Sequence, residues 1–313
     1  MIIDTHSHLN FKAYQNDRDE VIERTLRSDI WMINVGTKYE TSKQAVELAE
    51  KYSPHTNFEL KKGEKALNSA LNPKLVGGKG VFASIGLHPI FASAEFQKIK
   101  TDPEEGDFFI KEDFFDKEKY KCLAQSKKVV AIGEIGLDYY YKPKTNIKLE
   151  QFKNKQKEIL LQQLDFAEEL NLPVILHCRM AHKDLLEILT LRQTQVRQKK
   201  IQGVIHCFTG TMEEAQKYID LGFYLGINGI IFKFDIDKVI KKIPLEKILV
   251  ETDCPYLTPL PAVALAKAGP DGYVRNEPIF IKYVIQKIAE LKGLSFDEIT
   301  NKTTENARKL FNI

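Results

Sequence analysis

Eight short apolar, β-branched runs recur along the chain, at residues 2–4, 30–35, 81–85, 129–132, 173–176, 203–205, 223–227 and 248–250. Amphipathic stretches at 19–28, 41–52, 149–170, 182–196, 212–221 and 236–242 follow most of them, with a further helix at about 278–292 and a short helical tail. Unbroken apolar runs of this length suit strands buried on both faces, as in a parallel sheet covered by helices. Eight strands alternating with helices predict an α/β fold, a (β/α)8 barrel. An open doubly wound sheet is the weaker alternative. It needs a glycine-rich phosphate loop after a strand, and the chain has neither G-x-G-x-x-G nor G-x-x-x-x-G-K.

The 313 residues are read as one domain with insertions at about 53–80 and 91–121. The first links a helix to a strand, so it belongs at the bottom of the barrel, away from chemistry. The second leaves the top of the third strand, so it can reach a substrate. A third long loop, 255–276, follows the last strand.

With 43% hydrophobic and 28% charged residues, the apolar content is enough to offset chain entropy, which excludes disorder. A formal charge of only +3 excludes a general basic coat, so any nucleic-acid contact must be local. The start MIIDTHSHLN has no secretory pattern, and no apolar run approaches membrane-span length. Cys122, Cys178, Cys207 and Cys254 are too scattered for a zinc knuckle. A cytosolic protein, with a nuclear location also open, is the expectation, without membrane contact.

Five of the seven histidines, His6, His8, His88, His177 and His206, lie at or just past the C-terminal end of an expected strand. Glu134 and Asp253 share that placement. In a closed barrel these ends converge on one mouth. Alone, each signal is ambiguous. His6 and His8 are either loop histidines or two ligands on one side of a strand. Glu134 is a helix-capping group or a ligand, and a lone histidine at a strand end is more often a satisfied polar residue. Together, four histidines (His6, His8, His177, His206) and two carboxylates (Glu134, Asp253) are too many for one tetrahedral ion. They suit two divalent ions bridged by a carboxylate. Zinc, magnesium and manganese are the candidates, and mixed donors tilt the choice away from magnesium.

Seven motifs in order resemble the TatD family of metal-dependent deoxyribonucleases. They are Asp4-Thr5-His6-Ser7-His8, Gly86-Leu87-His88-Pro89, the run from Gly133 to Tyr139, the run from Pro173 to Arg179, His206-Cys207-Phe208-Thr209-Gly210, Glu251-Thr252-Asp253-Cys254-Pro255, and Arg275-Asn276-Glu277-Pro278. The resemblance implies a TIM-like barrel and hydrolysis of DNA, chiefly as a 3′→5′ exonuclease. It also implies one metal held by His6, His8, Glu134 and Asp253, and a second by Glu134, His177 and His206.

Asp253 is the expected general base, since a carboxylate can bind metal and accept the proton of water. His88 is either a phosphate contact or a structural histidine. Arg179 is either a bidentate phosphate clamp or a salt-bridged rim residue. Asn276, with Arg275, closes the last loop and is a candidate substrate contact. Tyr139, Tyr140 and Tyr141 either stack on unpaired bases or pack. The basic run 192–200 is read as a solvated helix end. The expected partner is single-stranded or frayed DNA. Two alternatives compete. One is a small-molecule amide or ester metallo-hydrolase, disfavoured because such enzymes usually carry lysine where Glu134 stands. The other is a non-catalytic binding protein, disfavoured by the intact ligand set.

Overall fold

The computed structural model describes residues 1–52, 80–93, 113–195, 200–259 and 274–313. Residues 53–79 and 94–112 of the two expected insertions lie outside it, as do 196–199 of the basic run and 260–273 of the last long loop.

Eight parallel strands run in sequence order: β1 (Ile2–Ser7), β2 (Ile30–Val35), β3 (Val81–Ile85), β4 (Val129–Asp138), β5 (Val174–Arg179), β6 (Gly203–Ile205), β7 (Tyr224–Ile227) and β8 (Ile248–Val250). Around them lie α1 (Arg18–Arg27), α2 (Tyr39–Lys51), α3 (Pro89–Ala92), α4 (Lys117–Leu123), α5 (Asn146–Leu170), α6 (His182–Gln195), α7 (Met212–Asp220), α8 (Asp237–Lys242), α9 (Ile281–Lys292) and α10 (Phe296–Phe311). This is the (β/α)8 barrel the alternation predicts. Three strands outrun their apolar cores. β1 continues to Ser7, β4 to Asp138 and β5 to Arg179, and these polar extensions carry the histidines and carboxylates into the mouth.

No ladder runs along β8 to β1. The seam is closed at its upper end, where Ser7 bridges to Cys254. The Asp253 N–H donates to His6 O at 2.8 Å, and the His8 N–H donates to Cys254 O at 2.9 Å. Side chains complete it. Thr5 Oγ1 donates to Val250 O at 3.1 Å, while Asp4 accepts the Thr252 N–H at 2.9 Å and the Thr252 hydroxyl at 2.5 Å. The Asp4 carboxyl is fully buried, and burial outweighs these donors to push its pKa to about 7.

The expected short tail is a sixteen-residue helix, α10. It starts with a reciprocal cap in which Ser295 Oγ accepts the Glu298 N–H and Glu298 accepts the Ser295 N–H. Its Ala307, Leu310 and Phe311 join the inner cluster of Ile3, Ile33, Val130, Ile175, Val204 and Leu249. A helix therefore stoppers the barrel opposite the histidines. A cavity of about 490 Å³ at that bottom face, lined in part by Lys127, Lys200 and Lys309, contains no histidine or cysteine and is remote from the mouth. The four cysteines are free thiols. No helix among the described residues is long and apolar enough to cross a membrane.

Phe311 is 3% exposed, so Phe311→Ala should cost about 3–5 kcal/mol through lost burial and a cavity. Denaturant unfolding should show a lower midpoint with an unchanged slope, and metal binding at the far face should persist.

Candidate metal centre

Strand periodicity accounts for most of the centre. On β5, β6 and β8 the inner apolar residues are Ile175, Val204 and Leu249. Two residues on, the same inward side is taken by His177, His206 and Glu251, and two further on from Glu251 by Asp253. β1 and β4 have the wrong parity, because Ile3 and His6 are three apart, as are Ala131 and Glu134. Each strand inserts one extra residue between them. Asp4 and Ser7 span three positions against two on β2, and Ile132 and Ile135 do the same against β5. These bulges turn His6 and Glu134 inward. Gly136 is required beside the second one. Its φ is +146°, and a Cβ there would meet His177 O at 2.0 Å.

The ligand-type atoms converge. His6 Nε2 lies 3.0 Å from His8 Nε2, and both approach Glu134 Oε2, at 3.5 and 3.9 Å. Asp253 Oδ1 lies 3.8 Å from His6 Nε2 and 3.5 Å from His8 Nε2. The other oxygen of Glu134, Oε1, lies 2.8 Å from His177 Nδ1 and 3.9 Å from His206 Nε2. Asp253 Oδ2 is 3.7 Å from His206 Nε2. Glu134 thus turns one oxygen to each group of histidines. A tetrahedral ion with bonds of about 2.0–2.2 Å separates its ligand atoms by roughly 3.3–3.6 Å; the contacts of 3.5–3.9 Å lie at or just beyond that spacing, while the 2.8 Å contact of Glu134 with His177 is a hydrogen bond that a cation would replace. The histidine tautomers agree with that use. His8 Nδ1 donates to Val35 O at 2.9 Å, leaving the Nε2 lone pair facing inward.

Two carboxylates that sequence reading did not single out hold the other imidazoles. Asp138 Oδ2 contacts His177 Nε2 at 3.1 Å, which points Nδ1 at Glu134 Oε1, where without a cation it carries a proton. Glu251 Oε1 contacts His206 Nδ1 at 2.8 Å, at an angle short of a good hydrogen bond, and turns Nε2 inward. Glu251 is itself anchored, its Oε1 accepting the Cys207 N–H at 2.8 Å and the Asn228 amide at 3.0 Å. A signal for both existed: Asp138 lies two residues beyond Gly136 in an inward series, and Glu251 stands two before Asp253.

Burial opposes charge on His177, but Asp138 and Glu134 outweigh it and raise its pKa to about 9. Burial likewise opposes charge on His206, and Glu251 and Asp253 raise it to about 10. Burial pushes Glu134 up, yet the imidazoles around it, with His177 donating to it at 2.8 Å, hold it well below the carboxylate range. For Asp253, burial is outweighed by His206, His8 and His6, so it too is held ionised.

His88 caps α3, its Nδ1 accepting the Ile90 N–H at 3.1 Å. The proton of the neutral ring therefore sits on Nε2, 3.5 Å from Glu134 Oε1. Burial first, then His177, lowers its pKa to about 3, so it is a neutral donor aimed into the centre. Arg179 lies on the rim, stacked over the Tyr140 ring at 3.6 Å. Tyr139 packs rather than stacks: it is buried, and its hydroxyl donates to Asp184 at 2.9 Å. Asn276 is not brought to the centre. It is buried, and its amide donates to Thr252 O and Tyr256 O at 2.9 and 2.6 Å, tying down the loop that carries Asp253. Arg275 is paired with Asp17 at 2.6 Å and Glu277 at 3.1 Å.

The model of the TatD related DNase family matches residues 3–59 and 56–312. The chain belongs to the TatD family. It is 36% identical to the uncharacterised metal-dependent hydrolase YabD of Bacillus subtilis, with 100% of each chain covered. It is 29% identical, again over 100% of both, to a protein of Pantoea ananatis named 3′-5′ ssDNA/RNA exonuclease TatD. The crystal structure of the TatD homologue YJJV of Escherichia coli superposes with a TM-score of 0.72 at 26% identity, covering 100% of this chain and 98% of that one. TatD proteins are metal-dependent hydrolases, and the histidine and carboxylate side chains gathered here form groups close enough together to hold a metal ion.

Metal loading should respond to two changes. Asp138→Ala frees the His177 ring and should weaken binding of the ion on that side about 10- to 100-fold, read by metal titration. A cation also competes with protons for His177 and His206, whose pKa values of about 9 and 10 lie above neutrality. Raising the pH toward 9 removes those protons, so apparent affinity should rise about tenfold per pH unit for each proton displaced. Calorimetry in buffers of different ionisation enthalpy reads the proton release directly.

Proposed function

We propose that this protein is a metal-dependent nuclease that shortens single-stranded DNA from an end, in the 3′→5′ direction, in the cytosol or nucleus. The division of the two Glu134 oxygens between two groups of histidines carries the reading, because it describes seats for two cations bridged by one carboxylate. Glu134 stands where small-molecule amide hydrolases on this barrel usually carry lysine. The name of the Pantoea ananatis relative supports the direction and the single-stranded substrate.

His6, His8, Glu134 and Asp253 would hold one ion, and Glu134, His177 and His206 the other. Bound divalent ions supply Lewis acidity and charge neutralisation at the phosphoryl group. Asp253 is the general base. Its ionised carboxylate lies between His8 and His206, where it takes the proton of the attacking water. The neutral His88 donates its Nε2–H to a phosphate oxygen at no cost in desolvated charge. Asp138 and Glu251 keep His177 and His206 in one tautomer. The phosphorus–oxygen bond to the leaving sugar breaks as the water oxygen adds opposite it, and the departing sugar oxygen takes up the proton that Asp253 received, leaving a sugar hydroxyl.

Asp253→Asn keeps the shape and an oxygen donor but not the basicity, so turnover should fall about 10²- to 10⁴-fold with the fold intact. A drop of less than about tenfold at unchanged metal content removes Asp253 as the base. The second test compares end-labelled linear single strands with closed circles in zinc, manganese, magnesium and cobalt. Linear strands should shorten while circles survive. Equal cleavage of circles makes the protein an endonuclease. Cleavage of a small ester or amide, with neither DNA touched, overturns the substrate class.

A further inference from the structure

The loop that leaves β4 exposes two adjacent aromatic rings beside basic side chains. Tyr140 and Tyr141 are 50% and 40% exposed, and Lys142, Lys144 and Lys148 are exposed beyond them. The three lysines form no salt bridge among the described residues, although many other surface lysines of this chain do. Arg179, at the end of the adjacent strand β5, lays its guanidinium on the Tyr140 ring and lies 5.8 Å from that of Tyr141. The two tyrosine rings meet edge to face at 4.8 Å. Arg179 forms no salt bridge among the described residues either, so its N–H edge is available while its flat face is used.

The Tyr140 ring is held between its neighbours, Arg179 on its face and the Tyr141 ring at its side, rather than left to rotate. A ring fixed in advance loses little freedom when a second flat group stacks on it. Among the described residues the adjoining positive charges form no ion pair. Aromatic faces interleaved with unpaired cations match one ligand chemistry, a flexible polyanion carrying flat bases. The loop is also joined to the metal centre. Asp138 Oδ1 accepts the Tyr140 N–H at 2.8 Å, and its other oxygen holds His177.

Building on the nuclease reading, we propose that Tyr140, Tyr141 and Arg179, with Lys142, Lys144 and Lys148, form a track for the unpaired nucleotides next to the one being cleaved. Tyr140 stacks on a base, Arg179 braces the ring and meets a phosphate, and the lysines follow the backbone outward. A paired duplex hides its base faces and cannot use this track, so the site selects single strands.

The test measures the Kd of metal-loaded protein for a fluorescent oligothymidylate and for an abasic strand of equal length. Both carry phosphorothioate linkages that resist cleavage. Tyr140→Ala should weaken oligothymidylate binding about tenfold or more and abasic binding by less than about twofold, and Tyr140→Phe should preserve both. Equal weakening of the two ligands, or no weakening, overturns the stacking site. Replacing Lys142, Lys144 and Lys148 together by glutamine should weaken both ligands alike and reduce the salt slope by about 2. An unchanged slope removes the lysines from the track. Hydrolysis of an unmodified strand by the unaltered protein is scored in parallel. Hydrolysis with base-independent binding overturns the track alone, and base-dependent binding without hydrolysis in any metal overturns the nuclease reading alone.

Discussion

The closure of the barrel between β1 and the segment after β8 is the constraint on which the centre depends. β8 has only three residues and forms no ladder with β1, so residues 252–254 must seal the seam. The seal is made by Asp4 on the Thr252 backbone and hydroxyl, and by the exchange of backbone hydrogen bonds between His6, His8, Asp253 and Cys254. Asp253 adopts a φ of 55°, a left-handed conformation that aspartate tolerates better than most residues. Its N–H reaches His6 O while its carboxylate remains in the mouth. The bonds that close the barrel are therefore the bonds that set Asp253 against His6 and His8.

Burial of charge explains the rest of the arrangement. Carboxylates in a mouth this enclosed stay ionised only against positive charge. Histidines supply it by binding protons, and this is why His177 and His206 titrate above neutrality. Divalent cations supply it more compactly and release the protons. The centre thus has two ways to balance the same carboxylates, and the exchange between them is the physical content of metal dependence. His88 stands apart from this balance. With its Nδ1 occupied by a backbone donor, it keeps one proton on Nε2. It can approach an anion without adding to the charge that must be neutralised.

The barrel was legible in the sequence because buried parallel strands leave continuous apolar runs, and eight of them alternated with helices. The cluster of ligands was legible because histidine at the end of such a run is uncommon unless the mouth needs it. Two physical facts were hidden. An apolar run ends where side chains turn polar, yet the ladder of β4 continues six residues past Ile132, so strand length was underestimated where the chemistry lies. Side-chain parity along β1 and β4 also fails by one residue, and only the bulges restore it. Asp138 and Glu251 are harder to read because they act on histidines rather than on a cation, so their two-residue offsets from Gly136 and Asp253 mark an inward side but not a role. Asn276 reads as a substrate contact from its place in a loop motif. Its amide is instead spent on two backbone carbonyls, a use that no linear pattern distinguishes from an exposed one.

β4 ties chemistry to selectivity. Within fifteen residues the chain presents Glu134 to both groups of histidines, Asp138 to His177, and then a mostly exposed stretch from Tyr140 to Lys148 at the rim. Asp138 is the hinge of this sequence, since one of its oxygens orients a ligand and the other fixes the backbone of the exposed tyrosine. Stacking at Tyr140 thus bears on the same carboxylate that orients His177. On the proposed track, a base stacked on Tyr140 and a phosphate at the metal centre would both be placed with reference to the end of β4, through the two oxygens of Asp138. That favours a strand whose neighbouring nucleotides can splay to reach both places, and it disfavours one whose bases are held in a duplex stack.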